Sequence, residues 1–128
     1  MRVLYRLNAG SKEPLYEQLE ALIAKYACLG VLEAHEQLPS VRVMAGELGI
    51  NPNTVAKAYK NLETKGIIYS VGGKGAFVSD NEAAKLYVLR QSETEFKAAV
   101  QKAKNAGMTA ESLTKMIEEI YKGGSADD

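Results

Sequence analysis

At 128 residues the chain has room for one domain of ordinary size and an appendage. Sixteen basic and sixteen acidic residues cancel, which excludes a polycation that coats nucleic acid indiscriminately. One cysteine, Cys28, excludes an intrachain disulfide and fits a reducing compartment as a small core hydrophobe. With no signal peptide and no apolar run near ~18 residues, a membrane location is not expected, and the cytoplasm is.

Met1 to Lys12 alternates Val3, Tyr5 and Leu7 with Arg2, Leu4 and Arg6, as a short strand or an arm would. Pro14 then opens a helix in which Leu15, Leu19, Leu22, Ile23 and Tyr26 recur at helical spacing until Gly30 stops it. This predicts the packing helix of the domain. His35, in the loop that follows, is the single histidine; with no cysteine or second histidine beside it, a zinc site is not expected.

Leu38-Pro39-Ser40-Val41-Arg42 and, a short way on, Asn51-Pro52-Asn53-Thr54-Val55-Ala56-Lys57-Ala58-Tyr59 spell two short helices joined by a tight turn. Ser40 caps the first, which ends at Gly49; Asn51 caps the second, with Pro52 in its first turn. On the second helix Val55, Ala58, Tyr59 and Leu62 form the buried stripe, which leaves Asn53, Thr54, Lys57, Lys60 and Asn61 on wetter faces. Polar side chains at a helix N-terminus suit base edges and phosphates. Ile67 to Val71 and Ala76 to Val78 read as two strands around the glycine-rich turn Gly72-Gly73-Lys74-Gly75. That turn lacks both the Walker spacing and a following helix, so it is a wing tip rather than a phosphate loop. Charge is placed accordingly: residues 38 to 78 carry five Lys/Arg against two Glu, whereas residues 1 to 37 carry four against five.

These motifs, from Pro14 to Ser79, resemble the N-terminal domain of the GntR family of bacterial transcription regulators, and the Asn-Pro-Asn-Thr-Val version with Ala58-Tyr59 is similar to its YtrA-type branch. The resemblance implies a winged helix-turn-helix reader of double-stranded DNA, and a repressor. Arg42 offers a fork to guanine or phosphate, Asn53 an amide to adenine, and Thr54 a hydroxyl and a methyl. Lys57 and Lys60 suit phosphate, as do Ser40 and Asn51 after capping. At the wing Lys74 reaches the backbone, with Gly73 and Gly75 allowing close approach.

From Asp80 the composition shifts to helix formers. A long helix capped by Asp80 or Asn81 runs to about Asn105 and Gly107; Thr109 caps a second that ends before Gly123. Leu86, Leu89, Phe96 and Val100 on one helix, and Leu113, Met116, Ile117 and Ile120 on the other, make apolar stripes that cannot close a core alone. A homodimer follows, and the resemblance implies the same, since its branch dimerises through a short two-helix tail. Two readers related by a two-fold axis require an inverted-repeat operator. The expected organisation is a reader at 1–79, a dimerisation tail at 80–123 and a disordered C-terminus at 124–128. The expected class is mainly α with a small β-hairpin. No cofactor, metal or catalytic group is expected. Two other readings stay open: a winged helix that binds protein instead of DNA, and a sensor whose tail dimer holds a small-molecule effector near Tyr87, Arg90 and Tyr121.

Overall fold

The computed structural model describes residues 5–123. In chain order it has α1 (Leu15–Leu29), α2 (Val41–Leu48), α3 (Pro52–Thr64), β1 (Ile68–Val71), β2 (Gly75–Val78), α4 (Glu82–Asn105) and α5 (Ala110–Gly123). The mainly helical winged architecture expected from the sequence is what forms. The chain divides into two compact units that part between Leu89 and Arg90. The expected disorder at 124–128 and the first four residues of the expected arm lie outside the described residues.

In the first unit α1, α2, α3 and the hairpin enclose one core, whose largest fully buried side chains include Leu19, Ile23, Met44, Val55, Leu62, Ile67 and Val78. The buried stripe of α3 is Val55, Ala58, Tyr59 and Leu62. The Tyr59 hydroxyl donates to the Pro39 carbonyl at 2.7 Å, and burial raises its pKa. On α1 the buried face is rotated from the expected one: Leu19, Glu20, Ile23, Ala24 and Ala27 are buried, and Leu15, Leu22 and Tyr26 only half so. The small side chains of Ala24 and Ala27 let neighbouring elements come close on that side. The unit runs past Ser79 because Ala84 is buried in this core and Ala83 and Tyr87 pack against it.

Residues 5–12 hold no strand. Instead Asn8 and Ser11 close a turn, and Gln18 of α1 bonds the Asn8 backbone twice, accepting from its N–H at 2.7 Å and donating to its carbonyl at 3.0 Å. Tyr5 and Leu7 pack on the core, Tyr5 edge-on to Tyr26. Burial, reinforced by Tyr26, Glu36 and Glu47, pushes the Tyr5 phenol up to about 12.

The hairpin pairs Ile68 with Val78 through Val71 with Gly75, one residue inside the first expected strand and one outside the second. Residues 35–38 lie beside β2: His35 N–H donates to Val78 O, Val78 N–H to Glu36 O, and Leu38 N–H to Ala76 O. The wing is thereby sewn to the chain that enters α2.

In the second unit, the remainder of α4 turns through Gly107 into α5, and the Thr109 hydroxyl accepts from Ser112 N–H at 3.1 Å. α5 buries none of its residues.

Candidate nucleic-acid interface

The N-terminal turns of α2 and α3 are built by their caps. Ser40 Oγ accepts from Val43 N–H at 3.2 Å, and Asn51 Oδ1 from Asn53 N–H at 2.7 Å. Between them Gly49 has φ 69°, a left-handed conformation that reverses the chain at little cost only without a Cβ. Arg42 in the first turn of α2 and Asn51 and Asn53 at the start of α3 are exposed, and Thr54 is half-buried.

α3 and the wing form the walls of an open groove of ≈ 520 Å³. Five of the expected residues line it together: Ser40, Lys60, Gly73, Lys74 and Gly75. Gly75 has φ +120°, and a Cβ there would stand 2.9 Å from Gln37 Nε2. That same amide donates to the Lys74 carbonyl at 2.7 Å, so Gln37 holds the wing tip from behind.

Other expected residues stand elsewhere. Lys57 leaves the groove for the α1 side, where its ammonium lies 4.0 Å from the centre of the Tyr16 ring. Asn61 does not lie on a wet face: it is half-buried, and its amide donates at 2.7 Å to Glu20 Oε2. Helical period explains the shift, since a side chain two turns beyond Asn53 has drifted towards the flank that meets α1.

The groove also contains groups that the sequence reading passed over. Ala56 sits on its α3 wall, and Glu63 accepts from Ser70 Oγ at 3.2 Å across to β1. Glu63 lies near the C-terminal end of α3, and only the fold of the wing brings Ser70 to it. His35 has φ 68°, and its Nδ1 pairs with the Tyr69 hydroxyl at 2.9 Å, where Tyr69 in turn stacks on Phe77. This histidine is an outward prop of the wing.

Among the described residues no group of three His, Cys, Asp or Glu could hold a metal ion, and no helix is long and apolar enough to cross a membrane.

Comparison with known proteins agrees with this geometry. The model of the gntR family of bacterial regulatory proteins matches residues 12–78. The HTH-type transcriptional repressor YtrA of Bacillus subtilis (strain 168) is 34% identical over 130 residues, covering 98% of this chain and 100% of the relative. The crystal structure of a transcriptional regulator from Oenococcus oeni superposes with a TM-score of 0.73 at 32% identity, covering 92% of this chain and 99% of that one. The DNA-binding domain of AraR, solved in complex with operator ORE1, superposes with a TM-score of 0.50 at 28% identity over 62% of this chain and 99% of that one. The capped helix pair, the wing and the match across them agree, and the chain belongs to the gntR family of bacterial regulatory proteins.

Proposed function

We propose that this protein is a transcription regulator that binds double-stranded DNA as a homodimer, acts as a repressor and recognises an inverted-repeat operator in the cytoplasm. The observation that carries the reading is that the capped N-terminus of α2, one side of α3 and the wing tip line one groove edged by Lys60 and Lys74, while Arg42, Asn51 and Asn53 stand exposed outside it. Arg42, Asn53 and Thr54 read base edges, while Ser40, Asn51, Lys57, Lys60 and Lys74 hold phosphates and Gly73 and Gly75 let the wing approach the backbone. Asn61 is left out of this set because Glu20 occupies its amide. Repression is supported by the relative described as a repressor, and operator binding by the AraR complex.

The dimer is supported by the tail. Leu86, Leu89, Phe96, Met116, Ile117 and Ile120 are exposed, with Val100 and Leu113 half-buried. Apolar stripes of this extent on two helices call for a partner, and a second copy supplies the same stripes under two-fold symmetry. The chemistry is binding rather than catalysis.

Selection from a random duplex pool by the wild-type protein and by Arg42→Ala tests the reading. Enrichment of an inverted repeat that is lost in the variant supports it. A folded wild-type dimer that enriches nothing would turn the winged helix into a protein-binding module.

A further inference from the structure

Glu20 is the one charged side chain among the described residues that is buried, at 3% exposure. Both its oxygens are used: Oε2 accepts from Asn61 Nδ2 at 2.7 Å and Oε1 from Lys65 Nζ at 2.9 Å. Its neighbours on α1, Leu19, Ile23 and Ala24, are apolar and fully buried. A carboxylate desolvated among apolar side chains is weak evidence of a role in stability, since replacing a whole buried ionic set by apolar residues is often neutral or stabilising. Holding the fold together is therefore a poor account of a carboxylate here.

Its partners suggest another. Asn61 lies on α3, and Lys65 is the residue that caps its C-terminus, four positions on and so on the same flank. Two bonds at two heights fix both the rotation of α3 about its axis and its sliding along α1. The requirement is strict: a rotation of about 20° moves a side-chain tip about 5–6 Å from the axis by about 2 Å, which is enough to break a hydrogen bond to a base edge. Lys65 also carries the contact onward, its ammonium lying 5.2 Å from the centre of the Tyr87 ring in the first turns of α4.

We propose that Glu20 is a positioning residue for DNA reading, which sets the pose of α3 through Asn61 and Lys65 without touching DNA. The proposal rests on the reading of α3 as the DNA-contacting helix. Its mark is a separation of specificity from stability. Losing the two bonds leaves the basic surface in place, so affinity for random-sequence DNA persists while affinity for the operator falls.

The test measures binding of the full-length dimer to the duplex recovered by pool selection and to a random duplex of equal length, alongside thermal melting. For Glu20→Leu the expected result is a ratio of specific to random affinity reduced about tenfold, random-duplex affinity within about twofold of wild type, and melting within a few degrees, because Lys65, 47% exposed, turns to solvent once its partner is gone. Lys65→Gln, whose amide can still donate to the Glu20 carboxylate, should lose part of the same ratio. In Glu20→Leu/Lys65→Gln the losses should not add, because both changes break one interaction. A wild-type ratio kept by Glu20→Leu, or by Lys65→Gln should Glu20→Leu not fold, overturns the proposal and leaves the regulator reading standing. A wild-type protein that enriches no duplex overturns both.

Discussion

Glu63 and Lys74 face the same groove with opposite charge, and a phosphate entering it would meet both. If the DNA backbone lies there, Glu63→Gln should raise affinity about three- to tenfold at low salt, by removing repulsion in a partly desolvated site. Lys74→Ala should weaken binding evenly across sequences and lower the slope of log K against log salt by about two for the dimer, one for each copy. Fluorescence anisotropy over a salt series measures both. An unchanged slope for Lys74→Ala together with unchanged affinity for Glu63→Gln would move the backbone out of the groove. Because Glu63 sits between Lys60 and the wing, and Lys74 is the wing's one cation, the wing should steer weakly and the α2 and α3 termini should carry most of the recognition.

The reader helices are specified by their ends. Asn51 satisfies one N–H that α3 would otherwise leave unpaired, so Asn51→Ala should cost about 1 kcal/mol of stability, while Asn51→Ser should keep it. Urea unfolding of both variants checks this, and an Asn51→Ala midpoint equal to wild type would contradict it. Local signals of this kind made α2, α3, the tail helices and the wing turn legible in the sequence: a cap, a period and a stop each act within a few residues. What escaped depends on distant partners. Glu20 gains its partners only when Asn61 and Lys65 fold onto it. Residues 35–38 carry no strand signature and gain their pairing only from the β2 edge. Asn61 has the polarity of an exposed position but is taken by α1, and for the same reason Lys57, beside Tyr16, stands apart from Lys60. Ser40, Lys60, Gly73, Lys74 and Gly75 were legible as one set from their motifs, whereas the place of Glu63 and Ser70 beside them and the turn of Lys57 towards α1 were not.

At the scale of the whole molecule, two properties follow from what is covered and what is not. Burial is the largest cause raising the phenols of Tyr5 and Tyr87 to about 12 from the ordinary 10.0, with Tyr26 next for Tyr5 and Glu20 next for Tyr87. A folded-state pKa above the unfolded one means that the folded chain holds these protons more tightly. Their contribution to stability is therefore complete below pH 10 and is lost as pH rises from 10 through about 12. Melting midpoints followed across that window should fall, and less so in a Tyr5→Phe/Tyr87→Phe variant; equal falls would remove these two groups as the cause. The uncovered surface is the apolar face of α5, a helix with no buried residue, on which Ile117 and Ile120 stand one turn apart and Ile120 is 65% exposed. Covering a side chain of this size is worth about 1.5–3 kcal/mol, so a handful of them from each copy can drive association. In the proposed dimer a carboxylate placed at Ile117 would have to enter the interface unpaired. Ile117→Asp should therefore sediment as a monomer and retain the melting of the reader unit. Its affinity for an isolated half-site should stay within about twofold of wild type, because neither cap nor wing is touched. Its affinity for the complete inverted repeat should fall about a hundredfold, since the second reader is no longer delivered at high effective concentration. A variant that still binds the complete repeat like the wild type would show that the two readers are joined by some other surface, and that the apolar face of α5 serves a different partner.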